Sequence, residues 1–303
     1  MLLRRLSRIS LAFAAGLTIT LTGAVESQAG DGGQLLYFNH AYGVLDRETA
    51  NAIEHSDYLR EFANFEVRTT TGADGRVWTG RYLLGRETYV ELFGVGDLPE
   101  PDGDLGSAGL AASSERDGDL AEVVRNLHDE GVTDPFEFLQ TRDFGDGVPV
   151  PWFDGVFTSD QYDDFGAWGM EYRPEYFADP RSNTEPPSFP GDVGRERYLS
   201  DGYQDHLLRD VTAVHLAITE RDLGNTVPLL EAGGFSVWTV PGGVVAKGGG
   251  TTVRLDVVPP AEVGLRRLDF ALNRPVAVRD AERIGNSELV VGPGSGAVWT
   301  FTR

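Results

Sequence analysis

The sequence predicts an α+β fold assembled from repeated units of one strand, one helix and several further strands. Three observations predict it. β-prone runs open at residues 36, 108 and 211. A helical pattern follows each opening run. Short strand-like runs then follow, separated by Gly-, Asp- and Pro-containing turn signals. The chain has 303 residues, 41% hydrophobic and 10% aromatic, enough to bury a sizeable core as one large domain or two ordinary ones.

The first unit opens with the run 36–45, and Asp46 can cap a helix whose apolar positions Ile53, Leu59, Phe62 and Ala63 share a face. Strands are expected at 65–70, 76–84 and 88–93. In the second unit, strand 108–113 precedes a helix in which Asp119 and Glu122 resemble a capping box. Leu120, Val123, Val124 and Leu127 keep i, i+3, i+4, i+7 spacing, and Gly131 ends the helix. Strands follow near 136–141, 152–158 and 167–173, then a Pro-rich stretch, 178–194, that reads as a linker or exposed loop. The third unit opens at 211–218, with a short, weak helix around 226–232 and strands at 235–240, 244–247 and 252–258. The tail supplies strands 266–272, 288–291 and 297–301 without a helix, a stripped half-module.

Charge and composition exclude several functions. The chain carries 47 acidic against 26 basic side chains, a formal net charge of -21. A nucleic-acid face needs clustered cations, and an anionic membrane surface repels such a chain. No Cys is present, which removes disulfides, thiolate metal sites and cysteine nucleophiles. Any metal would use His, Asp, Glu or neutral oxygens.

The first 29 residues read as an export signal. Arg4, Arg5 and Arg8 precede an uncharged apolar run, 9–25, and Ser27 and Ala29 form a small-x-small cleavage pattern. The expected mature chain begins at Gly30 and is secreted or periplasmic. The expected divisions are 1–29 as signal peptide, 36–175 as a paired-module domain, 176–206 as a linker or loop, and 207–303 as a degenerate β-rich domain.

The β-α-β-β-β order resembles the vicinal oxygen chelate superfamily of glyoxalases, bleomycin-resistance proteins and extradiol dioxygenases. Residues 38–46 (FNHAYGVLD) look like that superfamily's opening strand with its metal His, and 88–93 (TYVELF) like its fourth strand with its metal Glu. Residues 168–172 (WGMEY) stand where the second module would carry another Glu. The resemblance implies paired βαβββ modules forming a cleft-shaped sheet, followed by a second, β-rich degenerate module. It also implies a divalent metal (zinc, manganese, nickel or iron) held by His40, Glu91 and Glu171, with Glu171 available as a catalytic base. One departure stands out: near Gly109, where glyoxalase-type members supply another ligand, no residue from 108 to 114 is a usual one.

Strand parity examines the same residues without the family. Phe38, His40, Tyr42 and Val44 share one face of their strand; Tyr89, Glu91 and Phe93 share one of theirs. A His and a carboxylate on an aromatic wall suit a divalent cation, and equally a plain His–Glu hydrogen bond. Phe38, Tyr42, Tyr89 and Phe93 would line the substrate pocket. Glu171 shares its face with Ala167, Gly169 and Arg173, which leaves room for a ligand or for an ion pair with Arg173. His215 repeats the opening-strand position in the third unit, with Asp256 as its distant carboxylate. His55, His128 and His206 read as structural or solvated. No nucleophile elbow or P-loop is present.

Two functions fit these residues. One is an exported metal-dependent lyase or isomerase acting on a small oxygenated molecule. The other is a non-catalytic protein that sequesters a small molecule in an aromatic cleft. Either has a small-molecule ligand and no nucleic-acid or membrane partner after cleavage, and a monomer is feasible. The intact mass of exported protein should match a chain beginning at Gly30; retention of residues 1–29 would refute cleavage.

Overall fold

The computed structural model describes residues 33–71, 75–99 and 102–302, so the export signal lies outside the described residues. Among the described residues, sixteen strands form two eight-stranded sheets. The first contains β1 (Tyr37–Leu45), β2 (Asn64–Thr71), β3 (Val77–Leu84), β4 (Tyr89–Gly94), β5 (Ala108–Ser113), β6 (Phe136–Arg142), β7 (Val150–Phe157) and β8 (Phe165–Tyr172). Its spatial order is β2-β3-β4-β1-β5-β8-β7-β6. The second contains β9 (Leu208–Ile218), β10 (Ser236–Val240), β11 (Gly243–Gly248), β12 (Thr251–Val257), β13 (Gly264–Val276), β14 (Asp280–Ile284), β15 (Ser287–Val291) and β16 (Gly294–Phe301). Its order is β10-β11-β12-β9-β13-β16-β15-β14, the same pattern repeated. This is the paired-module α+β architecture expected from the strand–helix–strands order.

The helices are α1 (Arg47–Glu54), α2 (Asp57–Phe62), α3 (Asp119–Asp129), α4 (Pro174–Ala178) and α5 (Glu220–Ala232). The single helix expected after Asp46 is two. Asp46 caps α1 by accepting from the Thr49 amide, and Ser56 caps α2 by accepting from the Leu59 amide. Asp119 is not an N-cap: α3 opens at Gly118, with φ 92° and no side chain to offer. The third helix is far longer than 226–232. Gly224 and Pro228 both argue against a helix, yet Thr219 caps it and its inner face is buried through Leu229, Leu230 and Ala232.

The fourth module has all four strands, including β14, which the sequence pattern did not reveal. What the missing helix changes is direction. In the first sheet β5 and β8 are parallel, because the α3 crossover returns the chain before β6 begins. Without a helix, β14, β15 and β16 all reverse, and β16 runs antiparallel to β13.

The two sheets share one core. α1 packs against β4 and β14; α5 packs against β8, α3, β10 and β12. Core side chains from both sheets form a continuous cluster, from Phe38 and Leu110 to Leu268 and Trp299. Gly43 lets β1 approach β13, since a Cβ there would stand 2.9 Å from Leu265 Cβ. The stretch 176–206 is no free linker: Arg195 is 3% exposed and its guanidinium donates to the Phe38 carbonyl at 2.6 Å. Among the described residues no helix is long and apolar enough to cross a membrane.

A shared core predicts shared unfolding. Leu229→Ala, on α5 between the sheets, should cost about 2–5 kcal/mol. Circular dichroism and tryptophan fluorescence should report one coincident denaturant transition, shifted together. Two separate transitions would show that the halves unfold independently.

Candidate functional site

β1 and β4 are parallel neighbours near the middle of the first sheet. Their register pairs His40 with Tyr89 and Tyr42 with Glu91. Alternation then puts His40, Tyr42, Tyr89, Glu91 and Phe93 on the face away from the helices, where they line a cleft of about 800 Å³. Strands β5 to β8 supply the other wall. Of the 28 described residues lining the cleft, 13 are Phe, Tyr or Trp, so much of its wall is aromatic.

The structure brings His40 and Glu91 together. His40 Nε2 lies 4.0 Å from Glu91 Oε1, close but beyond a hydrogen bond. The His40 ring stacks on Tyr89 at 4.4 Å and meets the edge of Trp168 at 5.4 Å. Its Nδ1 is 2.8 Å from Asn39 Oδ1, while the Asn39 amide donates to Ser113 Oγ and to the Tyr198 hydroxyl. That network assigns the His40 proton to Nδ1 and leaves Nε2 bare toward Glu91. Burial lowers the His40 pKa to about 3. Burial raises Glu91 to about 7, against the opposing pull of the Arg68 charge and a hydrogen bond from Tyr89. Near neutral pH the imidazole is therefore uncharged and the carboxyl is partly protonated. The pair is not a salt bridge.

Glu171 stands elsewhere. Trp168, Met170 and Tyr172 of β8 line the cleft, so Glu171 takes the opposite, helix-covered face. Its carboxylate accepts from Ser114 Oγ at 3.0 Å, the Gly118 amide at 2.9 Å and the Leu120 amide at 3.0 Å. It thus caps α3 from a neighbouring strand, supplying the acceptor that Gly118 lacks. Arg173 pairs with Asp154 and Glu175 instead. The predicted parity of β8 is correct, but its faces are exchanged, and Glu171 is neither a metal ligand nor a base in this cleft. Among the described residues no three His, Asp or Glu side chains group closely enough to hold a metal ion.

Phe38 is also displaced. The β1–β5 register shifts between Phe38 and His40. This bulge at Asn39 breaks the alternation, so Phe38 turns into the helix-side core with no exposed surface. Tyr42 lies across Gly109, and any Cβ there would collide with the Tyr42 ring. The position with no ligand thus has a use as ring clearance. Sequence parity missed Asn39, which the bulge brings into the network. It also missed Tyr198, which stacks on Tyr172 at 3.7 Å from a stretch with no periodic pattern.

His215 and Asp256 occupy the matching register in the second sheet, with Ala217 opposite Asp256 as Tyr42 is opposite Glu91. There the two groups bond directly at 2.6 Å, with Arg254 2.7 Å from the carboxylate, on a partly exposed face. His55, His128 and His206 each place Nδ1 on a backbone carbonyl oxygen.

The chain belongs to a family of unknown function, DUF5829. The family model matches residues 38–301, which includes every cleft residue named above. No curated protein matches the chain. Among solved structures, a hypothetical protein from Staphylococcus aureus is similar at 10% identity and TM-score 0.49, over 85% of this chain and 99% of that one. A halotolerant catechol dioxygenase is similar at 10% identity and TM-score 0.39, over 88% of each chain. An extradiol ring-cleaving dioxygenase from B. fuscum is similar at 13% identity and TM-score 0.36, over 73% of this chain and 54% of that one. At these values the likenesses carry no functional argument, and the DUF5829 chain has to be interpreted from its own side chains.

The buried carboxyl gives a pH test. Glu91 binds its proton more tightly folded than unfolded. Its contribution is therefore fully present below about pH 4.5 and is lost as pH rises through about 7. The stability of wild type relative to Glu91→Gln should fall by roughly 3 kcal/mol between about pH 4 and pH 8. Denaturant titrations at several pH values measure this, and a constant difference would show an ordinary carboxyl.

Proposed function

We propose that the DUF5829 chain is a small-molecule-binding protein whose cleft takes a ligand with a flat, apolar body. The donor set of the cleft carries this reading. The first module offers two adjacent donors, His40 and Glu91, while the facing second module offers Ala111, Trp168 and Met170. Protein zinc sites take three or four protein ligands. A zinc, manganese, nickel or iron ion would meet a bare Nε2 and one carboxyl here, with rings where further ligands would stand. The residues therefore do not fit a firmly held metal. They do fit a planar ligand stacked among Tyr89, Trp168 and Tyr42. The reading extends to location, resting on the signal pattern in residues 1–29: the binder would work outside the cytoplasm.

One observation favours a second reading. A carboxyl that titrates near 7 inside an apolar cleft suits general acid–base catalysis. In that case Glu91 exchanges a proton with the bound molecule, as in an isomerase or lyase, and Asn39 keeps the His40 ring oriented beside it.

The purified mature protein tests the binding reading with 2-naphthol as a neutral planar probe. Saturable quenching of tryptophan fluorescence and a raised Tm are expected. Trp168→Ala should weaken binding by about tenfold, ~1.4 kcal/mol, while circular dichroism stays unchanged. Stoichiometric zinc, manganese, nickel or iron in the wild type, lost in His40→Ala, would overturn the metal-free reading.

A further inference from the structure

The cleft has two chemically different ends. Near β6 and the outer part of β7 it is walled by rings such as Phe138, Trp152 and Tyr172. The other end is built around Ser107 and the β7–β8 connection. Ser107 is 3% exposed and lines the cleft, yet its hydroxyl has no hydrogen-bond partner among the described residues. A buried, unpartnered hydroxyl inside a cavity is costly unless something entering the cavity completes it. Asp164 adjoins it, since the Ala108 amide donates to the Asp164 carbonyl at 3.0 Å.

Charge around the cleft is one-sided. The described residues lining the cleft include five carboxyl groups, Glu91, Asp102, Asp160, Asp163 and Asp164, against one arginine, Arg76. Asp102 pairs with Arg76 at 3.4 Å, and Asp163 with Arg221 at 2.6 Å. Asp160 and Asp164 have no ion-pair partner among the described residues. The connection bearing them is held against α5. Thr219 donates to Asp163, Asp222 accepts from the Asp163 amide, the Thr158 hydroxyl donates to the Asn225 carbonyl, and the Asn225 side-chain amide donates to the Gln161 carbonyl. These bonds tie the backbone that carries Asp160 and Asp164 to α5, so both acids stay at the cleft edge.

We infer that the ligand of this cleft is an organic cation, an aromatic body bearing a protonated amine, with the ammonium end at Ser107 and Asp164 and the rings among the cleft aromatics. The inference rests on the small-molecule-binding reading and adds the chemical class. An ammonium N–H gives Ser107 Oγ the donor it lacks. The unpaired carboxylates attract it, and the ring faces stabilise a cation through their quadrupoles. An anionic ligand would face five carboxyl groups with one already engaged guanidinium to receive it.

Three naphthalene probes with similar bodies test this by titration calorimetry at low salt: 1-naphthylmethylamine as the cation, 1-naphthalenemethanol as the neutral form and 1-naphthaleneacetate as the anion. The cation should bind about tenfold more tightly than the neutral probe, with the anion weakest. Added salt should narrow that preference. Asp160→Asn combined with Asp164→Asn should weaken the cation several-fold and leave the neutral probe unchanged, which also controls for folding. Equal affinity for cation and neutral probe, or tightest binding of the anion, overturns the charge assignment while leaving the cleft a binding site. Failure of all three probes to bind removes the binding reading itself.

Discussion

Exclusion of water from the β1–β4 face governs this molecule's chemistry. Two groups that in water would be oppositely charged at about pH 5–6 stand 4.0 Å apart in a wall of rings. Burial costs each its charge, and the costs oppose in sign: His40 gives up its proton and Glu91 keeps one. A formed ion pair would have had to repay the desolvation of both partners. With the separation longer than a hydrogen bond, it does not. The result is an uncharged imidazole with a bare nitrogen beside a carboxyl that is partly protonated near neutral pH.

The second sheet shows what the same register does without the wall. His215 and Asp256 repeat the positions of His40 and Glu91, but on a partly hydrated face. There the carboxylate's pKa is depressed, through hydrogen bonds from Arg254 and His215 that outweigh burial, and the pair closes to 2.6 Å. Backbone geometry is thus common to both sheets and does not decide the chemistry. Neighbouring aromatic bulk does. On β8, Trp168 and Tyr172 face the cleft, whereas on β16 Trp299 and Phe301 face the shared core. The absence of a helix in the fourth module reverses its last three strands, and its large rings fill the core, with Trp299 donating to Ser287 Oγ at 2.9 Å.

Much of this was legible in the sequence, and the exceptions have physical causes. The strand–helix–strands order and the alternation along β4 follow from periodicity, which local sequence carries. The bulge at Asn39 does not, because a one-residue slip is set by what β5 offers opposite and leaves no local mark. It moved Phe38 to the core while His40 stayed in the cleft. The fate of Glu171 depended on which side of β8 the helices cover, and period-2 alternation cannot tell one side from the other. The full length of α5 is masked in the sequence by Gly224 and Pro228, whose helix propensity is poor. Burial against β8 and α3 outweighs that local preference.

The position of Glu171 also bears on the make-up of the first sheet's cleft. α3 begins at a glycine in the left-handed region, so its first amides need an acceptor from outside the helix. Glu171 meets that need from the covered face of β8, and burial, reinforced by the Glu171 charge, lifts Asp119 to about 6. A carboxylate committed to two backbone amides and a serine hydroxyl is fixed on the far side of the strand. The cleft side of β8 is then free to carry Trp168, whose edge meets the His40 ring. Capping and ring packing are thus two faces of one strand. Together they put a ring, and not a carboxylate, on the cleft side of β8 opposite His40 and Glu91.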